Sequence, residues 1–245
     1  MNWKKAIIVA LDVVIGVYLV LAVTAFNKPD DATMVCNEVR INIEKTSFDG
    51  FLKQDDIRQL LRQKDLYPLG RPMGEVSARR IEETLRANAL IEYAECYKTQ
   101  TGHVCIDLRQ RVPVVRVMAD SGADYYVDSH GKIMPPAQYT CDVIIATGHI
   151  SKPYAERHLS KVVNIILADK FWKNQVVQLN VLPDGSMEIV PRVGEHIAYI
   201  GQPKGVERKL DRLLKFYRYG LSQAGWNKYS RVSVEFDNQI ICKRR

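Results

Sequence analysis

The sequence predicts an α+β protein with three parts: a single N-terminal transmembrane helix, a small βααββ domain, and a mixed β-domain carrying two helices. Three observations lead there. Residues 6–26 are apolar apart from one aspartate, residues 35–112 run strand, helix, helix, strand, strand, and short apolar strands with tight turns take over after Pro113. The chain of 245 residues carries 35 Lys+Arg against 28 Asp+Glu, a net +7, with 47% hydrophobic residues. That composition excludes a disordered, collagen-like or polytopic chain.

The apolar run AIIVALDVVIGVYLVLAVTAF would span about 31 Å as a helix at about 1.5 Å per residue, enough for a bilayer core. Lys4 and Lys5 in the tail of residues 1–5 precede it, and Asp30 and Asp31 outweigh Lys28 after it. The positive-inside bias therefore keeps the N-terminus in the cytoplasm and sends the bulk across. A cleaved secretory signal is the competing reading, since Val23-Thr24-Ala25 offers small residues, but the run exceeds the usual h-region of about 7 to 15 residues. Both readings export the rest of the chain. Asp12 lies in the first third of the span, where an ionisable group either meets a partner helix or is tolerated near the interface.

From Val35 to Lys45 apolar and polar residues alternate, with Val39, Ile41 and Ile43 on one face of a strand. KQDDIRQLLRQKD follows as a helix with Ile57, Leu60 and Leu61 on one side, closed by Leu66-Tyr67-Pro68-Leu69-Gly70. A second helix over about residues 76–90 places Ile81, Leu85 and Ala89 at spacing four. Residues 91–98 and 103–112 then form a hairpin, and symmetric pairing about Gln100-Thr101 sets Cys96 opposite Cys105. Export makes a disulfide between them one possibility and two buried free thiols the other.

Beyond Pro113 the strands read VVRVMA, YYVD, GKIM and DVIIATG, and the helix HLSKVVNIILADKFWKN follows. VVQLNVL and SMEIV make a hairpin about Pro183-Asp184-Gly185. After the strand HIAYIG, a helix over residues 205–221 turns Leu210, Leu213, Leu214, Tyr217 and Leu221 inward. Its polar side carries Arg208, Lys209, Arg212, Lys215 and Arg218 beside Glu207 and Asp211, which reads as a solvated face. RVSVEF and QIICKR close the chain as a hairpin about Asp237-Asn238. Its last strand is a candidate sheet edge, open to strand addition unless Lys243-Arg244-Arg245 serves only to protect it.

Catalytic signatures are missing from the sequence. It has no G-x-G-x-x-G, Walker A, H-E-x-x-H or G-x-S-x-G pattern, so no cofactor and no metal is expected. The five cysteines form no C-x-x-C pair, and the five histidines lack metal-ligand spacing and read as surface or strand residues. Asp124 and Asp128 read as a turn or solvated face rather than an acid/base pair. No basic groove interleaved with aromatics suggests nucleic acid.

In this order the pieces resemble the FtsQ/DivIB family of bacterial cell-division proteins. The resemblance rests on Tyr126-Val127-Asp128-Ser129-His130-Gly131, on Ala146-Thr147-Gly148, on the hairpin ending Asp184-Gly185, on Lys209-Leu210-Asp211-Arg212-Leu213 and on the terminal RVSVEFDNQIICKRR. It implies a POTRA domain at residues 35–112, a β-domain at 113–245, and a non-catalytic scaffold of the inner membrane, mostly periplasmic and enriched at the division septum. It further implies that FtsB/FtsL-like single-pass proteins bind through the last strand, that other divisome components meet the POTRA domain, and that membrane lipid surrounds the N-terminal helix. By position the partner-binding residues would be Phe236, Asn238, Ile240, Cys242 and Arg244, with Lys209 and Arg212 on the neighbouring helix. Phe236 and Arg244 stand where some members carry Tyr and Trp. The alternatives are an exported enzyme assembled from scattered residues, or another POTRA-containing envelope assembly or secretion factor.

Overall fold

The computed structural model describes residues 3–25, 34–45, 52–136 and 141–245. Met1 and Asn2 of the expected tail, Phe26 at the end of the apolar run, the flanking Lys28, Asp30 and Asp31, and Phe51 lie outside the described residues. The first element is α1 (Trp3–Ala25), a helix of 23 residues. Its described side chains are largely apolar and exposed, Val9, Leu11, Val13, Val14, Val17 and Leu21 among them, and Asp12 is exposed with them. Counted over the described side chains, which leave out positions 4–6, 8 and 23–25, no helix is long and apolar enough to cross a membrane. The crossing expected at residues 6–26 therefore stays an expectation.

Next come β1 (Glu38–Ile43), α2 (Gln54–Gln63), α3 (Ala78–Arg86), β2 (Ile91–Lys98) and β3 (His103–Gln110). The strands form a three-stranded sheet in the order β1-β3-β2. The expected helical faces are the buried ones, with Ile57, Leu61, Ile81 and Leu85 almost fully enclosed. α3 stops at Arg86, short of the expected residue 90, because Asn88 turns its side chain to Leu90 N at 2.9 Å. Ala89 thus lies past the helix end.

One correction concerns the β2-β3 turn. Thr99 N donates to His103 O at 2.9 Å, so the loop holds three residues, with Gly102 at φ +79 in the left-handed region. Such a loop is a three-residue hairpin with its glycine at the position that requires positive φ. The register slips by one residue from symmetric pairing, and a slip of one turns a side chain to the opposite face. Cys96, whose N–H donates to Glu82 of α3 at 2.9 Å, faces the helices, whereas Cys105 lies beside Tyr97 on the other face. Both cysteines are free thiols.

The chain continues with β4 (Pro113–Ala119), β5 (Asp124–Asp128), β6 (Ile133–Met134) and β7 (Ile144–Gly148). A helical stretch follows: α4 (Lys152–Tyr154), one π-helical turn (Ala155–Leu159), α5 (Ser160–Ala168) and α6 (Lys170–Gln175). Ser151 starts it by accepting from Tyr154 N at 3.3 Å, with a proline in the first turn, and this places the start earlier than the expected residue 158. Asp169 breaks the stretch, leaving the helical region and capping α6 through Phe171 N and Trp172 N. Then come β8 (Val176–Val181), β9 (Met187–Pro191), β10 (Ile197–Gly201), α7 (Val206–Phe216), a second π-helical turn (Tyr217–Leu221), α8 (Ser222–Ala224), β11 (Tyr229–Ser233) and β12 (Ile241–Arg244).

These strands make one mixed sheet of nine, ordered β12-β11-β10-β9-β8-β7-β4-β5-β6. The pairs β4-β7, β7-β8 and β10-β11 are parallel, the last two joined by helical crossovers and the first through β5 and β6, and the rest are antiparallel. The core lies between one sheet face and the helices, with Val117, Ala146, Leu179, Ile189 and Ala198 from alternate strand positions against Val163, Ile166, Trp172, Leu213 and Tyr217. Among the described residues the chain divides into two compact units that interleave in sequence: residues 1–42, 58–84 and 95–107, and residues 43–57, 85–94 and 108–245.

Candidate partner-binding edge

The end of the nine-stranded sheet is built from three pieces: β11, the segment 234–240, and β12. β11 runs parallel to β10, and among the described residues β12 pairs only with β11, antiparallel, through Arg231↔Lys243, Val232↔Cys242 and Ser233↔Ile241. A strand with one neighbour presents half of its backbone N–H and C=O groups away from the sheet. β12 is only four residues long and its register shifts between Tyr229 and Arg231, where Ser230 bulges and sends its hydroxyl to Lys243 O at 3.3 Å.

The terminal hairpin is looser than the sequence suggests. Phe236 and Ile240 were expected on its strands but lie, with Asn238 of the expected turn, in the segment between them. Long-range contacts hold that segment open. Val234 N donates to Tyr199 O at 2.9 Å, and the Arg212 guanidinium of α7 bonds the carbonyls of Val234 and Asp237 and sits 3.5 Å from the Asp237 carboxylate. Arg212 therefore shapes the approach to β12, while its Nε, buried, has no partner. Phe236 is 50% exposed and Ile241 51%, an apolar pair flanking the edge, whereas Ile240 and Cys242 are half-buried and pack on the core. Asn238 and Arg244 are exposed. Burial pushes the Cys242 thiol above its ordinary range.

Lys209 requires a second correction. It does not lie on a solvated helix face. The residue is 8% exposed, and its ammonium donates to the carbonyls of Ile200 and Gln202, each at 2.8 Å, capping the end of β10. Burial lowers its pKa from the usual lysine value, with the nearby Glu235 carboxylate opposing that shift. Lys209 thus aligns β10, the strand on which β11 and β12 are laid, and presents no charge to a partner. The expected i,i+4 pairing on this helix appears at Asp211–Lys215, 2.8 Å apart.

The motifs that carried the resemblance are fold determinants. Asp128, 2% exposed, accepts from His130 N at 2.9 Å, Lys132 N at 2.7 Å and Arg111 at 2.5 Å. A Cβ on Gly131 would sit 2.6 Å from Glu156 O, and one on Gly148 only 2.2 Å from Val181 O. Asp124 forms a bidentate pair with Arg116 at 3.0 and 2.7 Å, so neither aspartate is placed for acid/base work.

Of the histidines, His196 departs from a surface or strand role. It is 2% exposed, its Nε2 lies 2.7 Å from Tyr217 Oη, and burial lowers its pKa. Its Nδ1 has no partner, its ring meets that of Tyr217 edge-on, and Phe171, Trp172 and Trp226 cluster around Tyr217 in T-shaped or tilted contacts. The sequence signal is faint, a histidine one residue before a strand. Among the described residues no group of three or more His, Cys, Asp or Glu is placed to hold a metal ion.

Residues 34–109 match the model of a POTRA-like domain. Fold and matches together define a POTRA-like domain followed by a β-domain that ends on an open edge. Residues 112–243 match the family described as FtsQ/DivIB, C-terminal related, and this second match alone spans more than half of the chain. The chain belongs to the FtsQ/DivIB family, whose members are non-enzymatic cell-division scaffolds. No curated protein sequence matches it.

Proposed function

We propose that this chain is a membrane-anchored divisome scaffold that links early and late division proteins by accepting a strand from an FtsB/FtsL-like single-pass partner at β12. The observation that carries this reading is the open edge itself, a four-residue strand with one neighbour among the described residues, flanked by the exposed Phe236 and Ile241. Strand addition draws affinity from backbone groups, so the mode survives the departures at Phe236 and Arg244 from the side chains of other members.

The anchor in this proposal is α1, whose 23 residues would reach about 35 Å at about 1.5 Å per residue. Lys4 and Lys5 favour a cytoplasmic N-terminus and a periplasmic bulk, with the septum as the site of action. Confinement to a membrane raises the effective concentration of partners, so a modest edge suffices without turnover. Other divisome components would meet the POTRA-like domain.

The test is partner capture from membranes with Phe236→Glu and Ile241→Asp, both at half-exposed positions that the core does not need. The expected result is loss of co-purifying single-pass proteins with an unchanged unfolding transition. Undiminished capture by both variants refutes the edge as the site. Ile240→Pro is a poorer probe, because Ile240 also packs on the core.

A further inference from the structure

A cavity of about 500 Å³ opens between α5 and α7, on the helical side of the nine-stranded sheet. Ile165 and Ala168 of α5 face Leu210 and Leu214 of α7 across it, with Trp172 at its base. Along its rim stand Asp169, Glu207 and Asp211, and none of the lining residues is lysine or arginine. In a chain of net charge +7 this is a local reversal of sign. Asp169 caps α6 with one oxygen and Asp211 pairs with Lys215, while Glu207 lies exposed in the first turn of α7.

We propose that this groove binds a basic amphipathic helix of a partner protein, apart from any strand bound at β12. Both walls are helices whose backbone groups are already bonded internally, so strand addition has nothing to pair with here and recognition must run through side chains. The wall residues of α7 fall at i, i+3, i+4 and i+7, a groove two helical turns long. That length fits two turns of apolar anchors on an incoming helix. The charge chooses the flanks: an acidic helix would set like charges against Glu207 and Asp211, whereas lysine or arginine beside the apolar stripe meets them with opposite sign. The groove is lined by Glu207, Leu210, Asp211 and Leu214 of α7, whereas Arg212 of the same helix holds the carbonyls of Val234 and Asp237 and does not line it, so substitutions on the two faces test the two surfaces separately.

The experiment uses the full chain in zwitterionic nanodiscs, with empty discs subtracted. The probe is a labelled synthetic helix of about 18 residues, five turns, with leucine at i, i+3, i+4 and i+7 and lysine on the flanks. Its counterpart carries glutamate for lysine. The expected result is saturable binding of the lysine helix alone, weakened about ten-fold or more by Glu207→Lys with Asp211→Lys. Ala168→Arg, which fills the exposed mouth of the groove, weakens it likewise. Phe236→Glu and Glu156→Lys, neither of which lines the groove, leave it unchanged, and an unchanged urea midpoint shows that each variant is folded. No binding, equal binding of the glutamate helix, or equal loss with Glu156→Lys overturns the proposal. Loss with Phe236→Glu alone assigns the probe to the β12 edge and equally overturns it.

Discussion

Replacing Asp128 by alanine removes one carboxylate and strands three donors. Its Oδ1 serves the N–H groups of His130 and Lys132, and its Oδ2 holds Arg111, whose other nitrogens bond Ala89 O at 3.1 Å and Ile91 O at 3.0 Å. The Asp128 side chain is 2% exposed and that of Arg111 13%, so water cannot repair the loss. Breaking a buried ion pair by removing one partner costs about 3–5 kcal/mol. With a urea slope of about 2 kcal/mol per molar, the midpoint for the β-sheet unit should fall by about 1.5–2.5 M. Trp172 and Trp226 report that transition by fluorescence. Adding Arg111→Met should recover part of the loss, since it removes the orphaned guanidinium. A midpoint shift under about 0.5 M for Asp128→Ala would refute the reasoning.

Gly148→Ala should destabilise the same unit by at least about 2 kcal/mol, because φ +97 is strained for alanine and the new Cβ meets Val181 O; near-normal unfolding would contradict this. Burial holds the His196 pKa below its ordinary 6.5, so below that value the unfolded chain binds more protons than the folded one. Stability is therefore full above the unfolded value, starts to fall as pH drops through it, and goes on falling until the folded value is reached. Urea midpoints between about pH 7.5 and 5.5 should drop more for the natural chain than for His196→Gln. Unreduced protein, once unfolded, should alkylate at both Cys96 and Cys105. Cys96 should resist in the native state, its thiol being pushed up to about 12 chiefly by burial.

The hairpin of β8 and β9 was legible because its turn chemistry is local: Asp184 accepts from Ser186 N at 2.9 Å, and Gly185 takes φ +79. The buried faces of α2, α3 and α7 were legible for the same reason, apolar spacing being a property of one segment. The β2-β3 register was one residue from legible, since Gly102 marked a three-residue loop. The site was harder to read. What opens the segment 234–240 is Arg212, 22 residues before Val234, and what buries Lys209 is the need of two carbonyls at the end of β10. Nothing in KLDRL announces either role. His196 was hidden similarly, its partner Tyr217 lying on another element.

The central claim is that β12 is the partner-binding edge, and a photo-reactive residue at Ile241 in the full chain, irradiated in membranes of dividing cells, tests it most directly. Crosslinks to a small single-pass, coiled-coil-forming protein are expected from position 241, and none from Glu156, which is exposed but off the edge. Crosslinks absent at 241, or identical at both positions, would contradict the claim.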